Sequence, residues 1–334
     1  MIPTNNHKRP FARIAGTGRA VPPTVLTNAD LEAIVETSDE WITQRAGIKR
    51  RHIVQRGDKT SDLCIEAART ALDDARVKPE EIEFIVLGTI SPDMRFPATA
   101  VFIQEALKCE NAVAYDVSAT CSGFLFSLYQ GEAMIALGRA KKGLVIGAEL
   151  LTTIADWTDR GTCVLFGDGA GAVVLEEAND EHGILSTYIG SGGGASSLLY
   201  CVGHGTVGHM STMDTEPGES LLHMNGNEVF RQAVRTMEKS AHAALDRAGM
   251  TADEIDWLIP HQANIRIIEA TMQRLRLPAE KVIINIQEYG NTSSASIPIA
   301  LDEALRDGRI RSGQTVLCVA FGGGFTWGGA VIRF

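Results

Sequence analysis

Residues 71–88 read ALDDARVKPEEIEFIVLG, and residues 244–260 read ALDRAGMTADEIDWLIP. The two stretches match without a gap: Ala71 with Ala244, Leu72 with Leu245, Glu81 with Glu254 and Ile82 with Ile255, each pair 173 positions apart. Each copy ends a helix, passes through a short acidic turn and enters an apolar run. The same offset aligns DVSATCSGF around Cys121 with YGNTSSASI around Asn291, and GLVIGAE after Lys142 with VLCVAFG after Thr315. A chance match drifts out of register within a few residues, whereas self-similarity at a fixed period marks a repeated structural unit. The chain is therefore read as two βαβαβ halves, residues 1–178 and 179–334, related by a pseudo-twofold axis, with Cys121 and Asn291 at equivalent points near it.

The runs GLVIGAE and GAGAVVLEE are apolar throughout, as strands are when helices cover both faces of their sheet. This points to an α/β fold with a layered α/β/α/β/α core. NADLEAIVET and SDEWITQRAG read as helices with Asn28 and Ser38 as N-caps and Gly47 as a stop, and VIINI reads as a strand. Between Gly190 and Glu219 the pattern collapses into Gly, Ser, Thr and His, a long irregular loop without a counterpart in the other half. The 334 residues, 45% of them hydrophobic and 22% charged, suit a globular protein with a large core. A net charge of −10 argues against general nucleic-acid binding, which needs a net basic surface. No apolar run approaches the roughly 18 to 20 residues that span a bilayer. The opening MIPTNNHKRPFARI lacks an apolar signal core, so a cytoplasmic protein is expected. Six cysteines without C-x-x-C spacing indicate neither a zinc site nor a disulfide framework. His204 and His209 have no helping ligand nearby in sequence and read as loop histidines, not metal ligands.

Cys121 stands at a strand-to-helix corner, ahead of GFLFSLYQGEAMIALG. Free N–H groups and the dipole at such a helix start favour a thiolate, so its pKa is expected to be lowered. His261 follows a strand end in PHQAN and Asn291 another in YGNTSS; open α/β sheets place their sites at such strand ends. The three together suit a nucleophile with two hydrogen-bonding partners. Glycines 322–324 in FGGGFTWGGA allow the close backbone approach that an oxyanion hole requires. FGDGAGAV lacks the strand-to-helix context of a dinucleotide fingerprint.

Read in order, NADLE, SDEWI, RAGI, RFPATA, DVSATCSGF, TDRGT, FGDGAGA, MNGNEVF, PHQANIRII, GNTSSASIP, ALDEALRDGRI and AFGGGFTWG make the chain resemble the β-ketoacyl-acyl carrier protein synthase III family of the thiolase superfamily. The resemblance implies the duplicated five-layered thiolase fold and a homodimer. It implies that an acyl-CoA primer condenses with malonyl-acyl carrier protein, with loss of CO₂ and release of coenzyme A. By the same resemblance Cys121 is the nucleophile, His261 and Asn291 are its partners, and the backbone N–H groups of Cys121 and Gly323 form the oxyanion hole. Trp41 and Arg160 then sandwich the adenine of coenzyme A, while Arg45, Asn227 and Asn264 line the coenzyme and pantetheine tunnel. The segment Gln262, Ala263, Asn264, Ile265 and Arg266 docks the carrier protein, together with Arg231 and Arg274; Arg235 and Lys239 fall on the same helix face as Arg231. The SPDMRF segment with Phe96, and the long loop, shape the acyl pocket. No metal or redox cofactor is implied, coenzyme A entering as a thioester substrate. Elongating synthases carry a second histidine where Asn291 stands, and non-decarboxylating thiolases a cysteine where Phe321 stands. Other Cys-His-Asn enzymes of polyketide or quinolone type, and a silent acyl-carrier-binding subunit, remain as alternatives.

Overall fold

The computed structural model describes residues 10–203 and 221–334; His204, His209 and much of the long loop lie outside the described residues. The first half runs β1 (Ala12–Ala20), β2 (Thr24–Thr27), α1 (Asn28–Glu32), α2 (Asp39–Ala46), β3 (Arg50–Ile53), α3 (Thr60–Ala75), β4 (Phe84–Gly88), α4 (Thr99–Leu107), β5 (Val113–Val117), α5 (Gly123–Ala136), β6 (Lys142–Leu150) and β7 (Asp168–Glu177). The second runs β8 (Gly183–Ser191), β9 (Leu199–Cys201), β10 (Leu222–Met224), α6 (Gly226–Ala248), β11 (Trp257–Pro260), α7 (Ile265–Arg274), α8 (Ile286–Tyr289), α9 (Ser296–Arg306), β12 (Thr315–Gly322) and β13 (Thr326–Arg333).

The repeat becomes two sheets of the same order. One is β1-β7-β6-β4-β5 and the other, read from the matching edge, β8-β13-β12-β11. In both, the central pair is parallel (β4 with β6, β11 with β12) and the next strand antiparallel. VIINI, expected to be a strand, gives only a parallel bridge from Val282 to Leu258, at the edge that β5 occupies in the first sheet. The matched stretches superpose in kind as well. Arg76 and Gly249, 173 positions apart, both close their helices in the left-handed conformation, at φ 55° and 67°.

Burial sets five layers. Helices α3 and α4 pack Ala68, Leu72 and Ile103 on the outer face of the first sheet. On the outer face of the second, α6 and α7 pack Val234, Met237 and Ile268. Between the sheets lie α5 and α9, where Phe124, Leu128, Ile297 and Leu301 meet Val86 and Val145 from one side and Val316 and Cys318 from the other. A helix between two sheets must be largely apolar, which GFLFSLYQGEAMIA is apart from Gln130 and Glu132. Contact is close where α5 begins: a side chain on Gly88 would collide with the backbone of Gly123. Ser38 caps α2 and Gly47 ends it, as the sequence indicates. The cap of α1 is Thr27, not Asn28. Asn28 is fully buried inside the first turn, where its amide bonds Asp39 and the Ile48 carbonyl and accepts from Arg51.

Candidate active site

Two backbone corners form the floor of the site. Thr120 precedes Cys121 at φ 48°, and Ser293 holds the same φ of 48° at the equivalent point of the second half. Few non-glycine residues adopt this left-handed conformation. The pairing corrects the sequence reading: the residue equivalent to Cys121 is Ser294, and the residue equivalent to Asn291 is Ser118. The duplication preserved the shape of the corner and let its side chains diverge.

The turn Thr120–Ser122 carries Cys121 into the start of α5. The end of β12, from the other half, presses on it. A side chain on Gly322 would collide with Thr120 Oγ1 and the Cys121 backbone, and Thr120 Oγ1 donates to the Gly323 carbonyl at 3.0 Å. His261 leaves the end of β11 with its N–H on the Val319 carbonyl at 2.8 Å, and its Nδ1 lies 2.7 Å from Ser296 Oγ at the start of α9. The Ser296 oxygen also accepts the Gln262 N–H, at 3.3 Å. The Ser296 hydroxyl can donate to Nδ1, and in that tautomer the ring proton stands on Nε2, facing the cavity. Nε2 is buried and has no partner among the described residues. Asn291 is held by its backbone to Leu165 and Gly167, and its Oδ1 accepts the Ser293 N–H at 2.9 Å. An N–H can only donate, so the amide orientation is fixed and the Asn291 NH₂ group is the side left over.

The electrostatics differ from the expectation of a ready thiolate. Loss of water around Cys121 pushes its thiol up to about 12 from an ordinary 9.0; the Glu149 carboxylate adds to the rise, and a hydrogen bond with Ser293 opposes it. A shift of that size corresponds to about 4 kcal/mol, whereas a helix dipole supplies at most about 2 kcal/mol. Cys121 therefore rests as a thiol. Burial also drives His261 down to about 3, so the imidazole is neutral at physiological pH.

Cys121, His261 and Asn291 come together on one cavity of about 1010 Å³, which Gly322 and Ser293 also line. Exposed lining residues, among them Arg45, Asn227, Arg231 and Arg266, mark its open end, and buried ones its floor. Near Cys121 an apolar cluster of Leu151, Phe166, Leu222, Ile90 and Leu199 forms one wall. The sequence reading missed this wall, because its members are contributed by separated segments. Trp41, Arg45, Asn227 and Asn264 all line the cavity. Arg45 and Arg160 both lie over the Trp41 ring, 4.7 and 5.2 Å from its centre, and Arg160 is anchored to the Glu36 carbonyl. Asn264 also caps α7.

Three expectations need correction. Gln262 is 1% exposed, and its amide is consumed by the Pro260 and Ile283 carbonyls and the Asn285 N–H, so it cannot meet a carrier protein. The basic stripe is partly neutralised: Arg231 pairs with Glu228 at 2.9 Å and Arg274 with Glu238 at 2.8 Å. Arg266 lies over Phe230, 5.4 Å from its centre, and among the described residues it is the exposed cation of this group that lines the cavity without an ion pair. Phe96 is 80% exposed and does not line the cavity of this chain. Glu149, by contrast, was not singled out, although a carboxylate inside the apolar run KGLVIGAEL is a signal of a buried charge. It is fully buried and hydrogen-bonded to Ser293.

Residues 115–193 match the family described as 3-oxoacyl-[acyl-carrier-protein (ACP)] synthase III, and residues 245–334 match its C-terminal part. The chain is 50% identical over 326 residues to the β-ketoacyl-[acyl-carrier-protein] synthase III of Thioalkalivibrio sulfidiphilus, covering 97% of this chain and 99% of that one. The crystal structure of 3-oxoacyl-[acyl-carrier-protein] synthase III from Aquifex aeolicus VF5 aligns with a TM-score of 0.90 at 46% identity, over 97% of this chain and 100% of that one. The priming β-ketosynthase from the R1128 polyketide biosynthetic pathway aligns equally well, with a TM-score of 0.90, but at 32% identity over 98% and 97% of the two chains. With half its residues shared across nearly the full length and the same thiolase-type architecture, the chain belongs to the β-ketoacyl-[acyl-carrier-protein] synthase III family of condensing enzymes.

Proposed function

We propose that the protein starts fatty acid synthesis by condensing an acyl-CoA primer with malonyl-acyl carrier protein, acting in the cytoplasm as a homodimer. The observation that carries this reading is a thiol, an imidazole N–H and an amide NH₂ group on one cavity, with no second histidine at Asn291. The edge of β5, unpaired among the described residues and with Val113 exposed, and the exposed Met94 and Phe96 supply the kind of apolar surface that a second copy covers.

The reaction proceeds in two halves. Cys121 sulfur attacks the primer thioester, and the backbone N–H groups of Cys121 and Gly323 hold the oxyanion until coenzyme A leaves. Trp41 and Arg160 hold the adenine, with Arg45, Asn227 and Asn264 along the tunnel. The malonyl thioester then enters, with Arg266 meeting the acidic carrier. His261 Nε2–H and the Asn291 amide donate to its carbonyl oxygen. Both are neutral donors, so they stabilise the enolate formed on loss of CO₂ without protonating it. The enolate carbon attacks the acyl group on Cys121 and expels the sulfur. The test is incubation with acetyl-CoA followed by intact-mass measurement, then addition of malonyl-acyl carrier protein. One acyl adduct, absent in Cys121→Ala and discharged with CO₂ release, is expected; an adduct on Cys121→Ala refutes the assignment.

A further inference from the structure

The site holds a buried carboxylate to which the reaction described above gives no role. Glu149, near the end of β6, is fully buried and makes no ion pair among the described residues. Its Oε2 accepts from the Ile90 and Ser91 N–H groups, both at 3.1 Å, from Ser91 Oγ at 2.6 Å and from Thr89 Oγ1 at 3.3 Å. Its Oε1 is turned the other way and accepts from Ser293 Oγ at 3.2 Å. Ser293 in turn lines the catalytic cavity with Cys121, and its hydroxyl bears on the thiol, opposing the rise in its pKa. The hydroxyl carries one proton: aimed at the sulfur it holds the thiol down, and aimed at Glu149 Oε1 it leaves its oxygen free to accept from the thiol, so that thiol, hydroxyl and carboxylate stand in one row. The pseudo-twofold axis shows how this arose. The residue equivalent to Ser293 is Thr120, and the residue equivalent to Glu149 is Gly322; the first half's corner faces a bare glycine where the second half's corner faces a carboxylate.

We infer that Glu149 is a positioning residue that receives the Cys121 proton through the Ser293 hydroxyl during acylation. As the sulfur attacks the primer carbonyl, its proton passes to Ser293 Oγ while the Ser293 proton passes to Glu149 Oε1. Collapse of the tetrahedral adduct expels coenzyme A as a thiolate, and the same proton returns through Ser293 to that sulfur. The step forms one C–S bond, breaks another and consumes no proton. It supplies the base that a thiol at rest requires and that a histidine carrying its proton on Nε2 does not provide. Burial raises the Glu149 carboxyl from 4.5 to about 7, where a base is matched to neutral pH. The titratable groups that feel its charge are Cys121 and, behind the sheet on α3, Cys64. Asp93 and Asp116 lie beyond Cys64 and are bound to Ser61, and to Thr99 and Ala100. Asp168 on the neighbouring β7 is bound to Val54 and Thr152, and the turn at Ser293 brings only neutral groups.

The inference rests on Cys121 acylation, and the test separates the two. Single-turnover transfer from acetyl-CoA is followed by intact mass from about pH 5.5 to about pH 9 in wild type, Glu149→Gln and Ser293→Ala. In wild type the rate climbs with a midpoint near 7. In both variants the rate at pH 8 falls about 10²- to 10⁴-fold, and the limb near 7 vanishes, leaving only the rise that follows the thiol itself. A uniform fall with the limb intact means a structural role and overturns the inference. If Glu149→Gln does not fold, Ser293→Ala decides alone, because it keeps the carboxylate and cuts the chain. A wild type that never acylates overturns the condensation reading as well.

Discussion

Replacing Asn291 by aspartate tests the decarboxylation half of the mechanism with little disturbance to the fold. The side chain keeps its shape, and the carboxylate still accepts the Ser293 N–H that Asn291 Oδ1 accepts at 2.9 Å. What changes is the group facing the cavity: an NH₂ donor becomes an oxygen carrying negative charge. Loss of one donor from an oxyanion-type site costs about 10²- to 10³-fold in rate, or about 2.7 to 4 kcal/mol. A carboxylate beside a forming enolate adds repulsion, so CO₂ release from malonyl-acyl carrier protein should fall at least about 10³-fold at pH 8. Acylation of Cys121 relies on backbone donors and should stay within about tenfold of wild type. At 7% exposure the new carboxyl is desolvated and its pKa raised. Lowering the pH protonates it, returns a donor to the cavity and should recover part of the CO₂ release in Asn291→Asp but not in Asn291→Ala. Labelled CO₂ release beside single-turnover acylation measures both. Decarboxylation within tenfold of wild type in Asn291→Asp would show that this residue does not hold the enolate.

Trp41→Ala removes the ring that Arg45 and Arg160 flank; at about 1 to 3 kcal/mol per stacked base, the Kd for coenzyme A by calorimetry should rise about 5- to 150-fold. Arg266→Glu should weaken carrier-protein binding strongly at low salt and little at high salt, leaving acylation from acetyl-CoA intact; a salt-independent loss of both would make the residue structural. Glu149→Gln should also alter stability with pH. A carboxyl raised from 4.5 to about 7 in the fold costs nothing at low pH, and its penalty grows as pH rises through 4.5 to 7. The variant should therefore gain about 3 kcal/mol relative to wild type at pH 8 and little at pH 4.5, read from denaturant unfolding. His261 has the opposite dependence: with its folded pKa near 3 against 6.5, it withdraws stability as pH falls from about 6.5, and His261→Gln should flatten the acid side of the wild-type profile.

Much of this was legible in the sequence because it is written in register. The 173-residue offset between Ala71 and Ala244 carries the duplicated sheet, the matched helix ends at Arg76 and Gly249 and the corners at Thr120 and Ser293. Apolar patterning around α5 identified a buried helix, and with it the corner that presents Cys121. The remainder depends on what the sequence brings together from afar. The thiol is raised because its surroundings are dry, and no local pattern reports dryness. Gln262 looks like a surface residue within PHQAN until the Ile283 carbonyl and the Asn285 N–H close over it. Asn28 has the residue type of a cap, but Arg51, fully buried on β3, claims its oxygen. Glu149 left one trace, a charge in an apolar strand, which has meaning only once Ser293 is known to lie beside it.

The middle layer has a consequence for how such a chain came to exist. Helices α5 and α9 come from opposite halves, yet each needs the other half's sheet to cover its free side. A polypeptide ending near Glu177 would leave one sheet face and one helix bare, and the covering they require is a second copy of themselves. Such a pair would carry two identical corners facing each other across a true axis, each obliged to hold whatever the other held. Joining the copies into one chain removed that obligation. One corner was then free to keep a sulfur and face a bare glycine, and the other to gather a hydroxyl, an amide and a carboxylate around it.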